Sequence, residues 1–274
     1  MNRREFVALL MAAPSVKRLH VGCQTNAWRI NPGQFSDLLA ALKTIKAIGF
    51  EGFETGFRNI QGQFSQTAEA RRELRRTDLR FFATHIFLDQ YDPQTSVAPW
   101  DLIIRVTDGA AALGSERLIL SGAPVGTNVS SKAGALNRAG EYCRTKGLRL
   151  AYHNHSPEFA NGGAEINALM GATDPGRVNF VIDAGHAMRS GANLAEFFDY
   201  YHARIDGMHL RDFRQDEQVP LGSGTFDYQP LAAAVKKAKW SGWILAEEER
   251  VSGEKPGESA AQPARETIRR LFGV

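Results

Sequence analysis

The chain has 274 residues, 43% of them hydrophobic and 23% charged, with a formal net charge of +3. That balance belongs to a folded globular protein, and it excludes a disordered, collagen-like or strongly basic nucleic-acid-binding chain. A chain of this length buries roughly 75% of the surface its unfolded form exposes, enough for one large α/β barrel or two small domains.

At the amino terminus, Met1-Asn2-Arg3-Arg4-Glu5-Phe6 precedes the apolar run Val7–Ala13. Paired arginines before a short apolar run resemble a twin-arginine export leader. Residues 1–15 are therefore expected to be a leader and residues 16–274 the folded catalytic domain of a periplasmic or exported protein. The apolar run is short and no A-x-A site follows it, so a non-functional leader on a cytoplasmic protein is the alternative. No later segment reaches the ~18 apolar residues that cross a bilayer.

Beyond this point apolar, β-branched runs alternate with stretches of helical period. The runs predict strands at Leu19–Gln24, Gly52–Glu54, Arg80–His85, Arg117–Ser121, Arg149–His155, Asn179–Asp183, Ile205–Leu210 and Trp243–Glu247. Helices are predicted at Gln34–Ile48, Thr67–Asp78, Trp100–Leu113, Ser130–Thr145, Ala164–Ala172, Asn193–His202, Tyr228–Lys239 and Pro263–Leu271. Asn193 and Asp227 suit N-caps, and Pro263 suits a first helical turn. The basic stretch Arg71–Arg76 reads as a solvated helix face. Cys23 and Cys143, one in a strand and one in a helix, read as buried apolar fillers.

Regular β-α alternation demands parallel strands joined by helical crossovers. Eight such units in ~250 residues fit a single (β/α)8 TIM barrel. A doubly wound open sheet is the alternative, but Gln24-Thr25-Asn26-Ala27-Trp28 after the first strand carries no glycine-rich fingerprint.

Four apolar runs end abruptly in polar groups: AYHNH, FVIDAGH, DGMHL and WILAEEE. In a (β/α)8 barrel the carboxyl ends of the strands form the active site. Strand alternation then aims His153, Asp183, His209 and Glu247 at one point, with His155 and the other strand-eight glutamates as alternatives. Two imidazoles and two carboxylates suit Mn, Co, Zn or Fe(II) better than Ca or Mg.

The segments YHNHSPEF, VIDAGHA, MHLRDF, PLGSGTFD and GWILAEEER resemble the xylose isomerase-like TIM-barrel superfamily of sugar isomerases and epimerases, over nearly the whole chain after the leader. The resemblance implies that Asp183, His209 and Glu247 bind a divalent metal and that His186 touches substrate. A strand-five glutamate is usual in the family; His153 stands in its place here, as in the Y-H-x-H variant of the inosose dehydratase-like branch.

The expected function is a metal-dependent sugar or polyol isomerase or epimerase, with one divalent ion (Mn first; Co, Zn, Fe or Mg as alternatives). Glu247 and His186 are the expected catalytic groups. His155, Arg211, His85, Trp28 and Glu54 are expected to meet substrate. Because His153 leaves Glu247 as the one obvious carboxylate base, a lyase or dehydratase of keto-sugars or keto-inositols is the alternative; a non-catalytic sugar-binding barrel is another. The partner is a small sugar or polyol rather than nucleic acid, and homo-oligomerisation is left open. Leu221-Gly222-Ser223-Gly224 reads as a turn before Asp227 or, alternatively, a phosphate cradle.

Overall fold

The computed structural model describes residues 18–249 and 253–274. The leader expected at residues 1–15 lies outside the described residues. Eight strands close into a parallel barrel: β1 (His20–Gln24), β2 (Gly52–Gly56), β3 (Arg80–Ile86), β4 (Arg117–Leu120), β5 (Arg149–His153), β6 (Val178–Asp183), β7 (Ile205–Leu210) and β10 (Trp243–Ala246). Each strand pairs with the next in sequence, and β10 closes the ring against β1. A short antiparallel hairpin, β8 (Asp212–Arg214) and β9 (Glu217–Val219), follows β7.

The crossovers are α1 (Phe35–Ile48), α2 (Thr67–Arg76), α3 (Trp100–Leu113), α4 (Ser130–Thr145), α5 (Ser156–Ala172), α6 (Ala184–Arg189) with α7 (Leu194–Tyr201), and α8 (Gln229–Lys237). The chain ends in α9 (Glu258–Phe272). The fold is therefore a single (β/α)8 barrel. Among the described residues no helix is long and apolar enough to cross a membrane.

Strand alternation divides the apolar residues between two cores. One face of the strands meets the helices in the large outer core, which includes Val21, Phe53, Leu118, Leu150, Phe180 and Ile244. The other face fills the barrel lumen with Phe82, Ala83, Ile119, Ala151, Val181, Trp243 and Leu245. Trp243 plugs the lumen because Gly52 makes room for it: a Cβ at 52 would stand 2.6 Å from the indole ring. The plug fixes what lies above it, since the residue two places beyond Ala151, Val181 or Leu245 points the same way.

Some local expectations shift. Helix α5 starts at Ser156 rather than Ala164, and it is broken where Asn161, Gly162 and Gly163 adopt left-handed backbone (φ 52°, 71° and 76°). That break hid its first turn from a periodicity reading. Pro263 lies inside α9, which starts at Glu258, rather than in its first turn. Asn193 caps α7 through the Glu196 amide, whereas Asp227 accepts from the Gln229 amide one residue ahead of the cap position of α8. Both cysteines are buried and free.

Candidate metal centre and its cavity

His153 ends β5, Asp183 ends β6, His209 lies near the end of β7, and Glu247 follows β10. Asp183 and His209 are register partners on adjacent strands. All four side chains are buried, and one donor atom from each lies within 4.8 Å of the others. His153 Nε2 is 3.0 Å from His209 Nδ1, 3.6 Å from Asp183 Oδ2 and 3.9 Å from Glu247 Oε2.

Hydrogen bonding around the cluster sets the proton on each ring. His209 Nε2–H donates to Glu54 Oε2 at 2.7 Å. His153 Nδ1–H points to Ser121 Oγ at 3.5 Å, Ser121 donates to His85 Nε2 at 2.8 Å, and His85 Nδ1–H donates to Glu54 Oε1 at 3.1 Å. This assignment satisfies every outer nitrogen and leaves His153 Nε2 and His209 Nδ1 facing each other, with His209 Nδ1 also 2.5 Å from Glu247 Oε2. Two nitrogen lone pairs 3.0 Å apart repel unless a cation or a proton lies between them.

The carboxylates tell the same story. Asp183 Oδ1 accepts the His186 amide at 2.8 Å, and Glu247 Oε1 accepts Asn26 Nδ2 at 3.1 Å. Their second oxygens, Asp183 Oδ2 and Glu247 Oε2, are buried without a well-aligned hydrogen bond; their close neighbours are the cation Arg211 Nη2 at 2.8 and 2.7 Å and, for Glu247, His209 Nδ1 at 2.5 Å. Buried polar atoms are rarely left so. Two imidazole nitrogens and two buried carboxylate oxygens at one point fit a divalent ion of the Mn, Co, Zn or Fe(II) type. Burial alone would lower the His209 pKa, but Glu54 and Glu247 override it and hold it near 10, so without an ion His209 Nδ1 carries a proton beside Glu247 Oε2, and a bound ion would replace that proton. Burial would raise the Glu247 carboxyl, yet Arg211 and His209 keep it well below its ordinary value.

Above the cluster opens a cavity of about 510 Å³ at the carboxyl end of the barrel. Its lining includes His85, His155, His186, Arg211 and Glu249. Burial lowers His155 to about 2, with His153 and His186 adding to the effect. Burial also takes His186 to about 4, against the pull of Asp183. Both rings are therefore neutral near pH 7.

Two residues expected to meet substrate stand elsewhere. Glu54 is fully buried beneath the cluster and bridges His85 and His209, so it orients imidazoles instead of reaching substrate hydroxyls. Trp28, just beyond the 3-10 turn Thr25–Ala27, lines a smaller neighbouring cavity with Arg29 and Lys255, which shares Asn26 and Asn59 with the main one. The Leu221–Gly224 segment is a turn, not a phosphate cradle: its Gly222 and Gly224 amides donate to Asp212 Oδ2 at 3.0 Å each. Asn26, Ser121 and Gln218 were not anticipated. Asn26 holds Glu247, Ser121 links two imidazoles, and Gln218 Nε2 donates to the Glu247 carbonyl at 2.8 Å. Ser121 lies at a strand end and Asn26 in the turn after β1, so strand ends could have flagged both; Gln218 lies in the unanticipated hairpin.

The sequence profile of the xylose isomerase-like TIM barrel matches residues 42–271. The chain belongs to this family. Among curated members of known name, the inosose dehydratase of Lacticaseibacillus casei is 33% identical over 137 residues, which is 43% of this chain and 46% of the relative. The chain thus spans about half the length of the curated relatives it matches. Among solved structures, L-ribulose 3-epimerase superposes with a TM-score of 0.76 at 16% identity, covering 93% of this chain and 95% of its own. The D-allulose 3-epimerase of a Methylomonas species gives 0.75 at 18% identity, covering 93% and 98%. These structural likenesses show the same (β/α)8 barrel fold.

Proposed function

We propose that the protein is a divalent-metal-dependent enzyme that moves the proton next to a carbonyl on a sugar or polyol. One observation carries this reading: one donor atom each of His153, Asp183, His209 and Glu247 converge within 4.8 Å of one another, and His153 and Glu247 line the cavity. A divalent ion held there would polarise the substrate carbonyl and an adjacent hydroxyl, lowering the cost of charge on the carbonyl oxygen.

The chain's own residues then divide the work. Glu247 takes the proton from the carbon beside the carbonyl at Oε1, the oxygen that Asn26 steadies. His155 and His186, neutral and on the same cavity wall, accept hydrogen bonds from substrate hydroxyls. The buried shell of Glu54, Ser121 and His85 keeps both ligand imidazoles in one orientation. Returning the proton to the neighbouring carbon completes an isomerisation; returning it to the opposite face of the same carbon, which needs a second base, completes an epimerisation.

A second reading is favoured by His153. With an imidazole on strand five, Glu247 is the carboxylate of the four-residue cluster placed as a base, because Asp183 is committed through Oδ1 to the start of α6. One base suffices for β-elimination: the C–H bond breaks, a C=C bond forms, and the β-oxygen leaves as water with the proton. The inosose dehydratase likeness supports this reading.

Incubating the metal-loaded protein with ketohexoses, ketopentoses and inososes in D2O separates the two. Deuterium gained with no water lost supports isomerisation or epimerisation, and loss of water supports elimination. Neither change across the panel would count against a proton-transfer enzyme.

A further inference from the structure

The feature that the proposed chemistry leaves unused is the fully buried guanidinium of Arg211. Its Nη2 stands 2.8 Å from Asp183 Oδ2 and 2.7 Å from Glu247 Oε2. The contacts are ion-pair contacts: Asp183 Oδ2, Glu247 Oε2 and the buried Nε–H of Arg211 each lack a well-aligned hydrogen bond. Among the described residues, its side-chain hydrogen bond runs from Nη1 to Gln218 Oε1 at 3.4 Å, a long one. The guanidinium is thus drawn to the cluster by charge without being locked by directed bonds.

The rest of the side chain is firmly held. Tyr228 donates its hydroxyl proton to the Arg211 carbonyl. The stem lies across Gly185, where a Cβ would come within 2.3 Å of Arg211 Cγ. The glycine of the D-A-G-H segment is therefore the space through which Arg211 reaches the cluster. On the far side of the guanidinium, Glu249 Oε2 is 3.9 Å from Nη1 and lines the same cavity.

These contacts point to Arg211 as a resident cation of the site that a divalent ion must displace. We infer that Arg211 holds Asp183 and Glu247 in place when no metal is bound, and that metal binding turns its guanidinium toward Glu249. Two carboxylates buried together repel, so the site needs positive charge beyond the His209 ring against Glu247, and Arg211 supplies it to both. A divalent ion beside an arginine at contact distance is repelled in turn, and turning to Glu249 relieves that. Arg211 is on this account a positioning residue whose charge sets how tightly the site holds metal. The inference rests on the metal-site reading above.

The test is Co2+ binding to the full-length protein after chelator stripping, followed by the visible absorption of the bound ion and by competition with a chelating dye. Removing the opposing charge in Arg211→Met should tighten Co2+ binding roughly tenfold or more, with Arg211→Lys between it and the parent chain. Glu249→Gln, which removes the second acceptor, should weaken binding roughly threefold or more. Parent-level or weaker binding in Arg211→Met, with its circular dichroism unchanged, would overturn the inference while leaving the metal site standing. Unchanged binding in Glu249→Gln would overturn the turn toward Glu249. Absence of Co2+ binding in the parent chain would instead overturn the metal reading and the inference with it.

Discussion

Glu54 and His209 are 155 residues apart in sequence, yet Glu54 Oε2 accepts the Nε2–H of His209 at 2.7 Å inside the barrel. The pairing leaves Nδ1 as the nitrogen His209 can offer to an ion. Buried carboxylates behind metal-ligating histidines are typically worth 10–100-fold in metal affinity. Glu54→Ala should therefore lower Mn2+ or Co2+ affinity by about that factor while the protein remains folded. Dye competition measures this, and unchanged affinity would show that the ring is held by packing alone.

Acid should destabilise the metal-free protein earlier than carboxylates alone would require. His155 and His186 have folded pKa values of about 2 and about 4, below the ordinary 6.5. Between those values the unfolded chain binds protons that the folded protein refuses, so stability falls as pH drops below 6.5. For His186 the loss is complete near pH 4; for His155 it continues toward pH 2. Thermal midpoints measured across this range should begin to fall near pH 6.5, and His155→Gln should make the decline shallower. A midpoint flat down to about pH 5 would contradict the neutral assignment of both rings.

Behind the cavity, Lys132 is buried against Glu165 at 2.7 Å and Glu158 at 3.8 Å, and it donates to the Ala123 carbonyl at 2.9 Å. Glu158 in turn accepts the His155 amide at 3.1 Å, tying this ion cluster to the cavity wall. Lys132→Met leaves the two carboxylates without their cation and should cost about 3–5 kcal/mol in urea denaturation. Pairing it with Glu165→Gln should recover part of the loss. A single-variant cost under about 1 kcal/mol would mean that the cluster is not a buried ion pair in solution.

How much of this was legible in the sequence follows from period and length. Barrel strands and long crossover helices repeat one pattern over enough residues to be read, and the apolar residues two places before His153, Asp183 and Glu247 gave the direction of the ligands. Short elements carry no such pattern: α6 has six residues, and the two hairpin strands have three each, so neither element was anticipated. Glu54 is hard to read for a different reason. Its strand end is as polar as the others, but alternation cannot say whether a carboxylate faces substrate or the back of an imidazole 155 residues away. The place of Trp28 depends on the turn after β1, which no periodic signal describes.

The most direct measurement is elemental analysis of the purified protein after dialysis, for Mn, Fe, Co, Ni and Zn, alongside His209→Ala. The account predicts about one tightly held divalent ion per chain in the parent protein and none in the variant. No bound ion in the parent, even after reconstitution with each metal, would contradict it and leave His153, Asp183, His209 and Glu247 as a buried polar cluster with some other purpose.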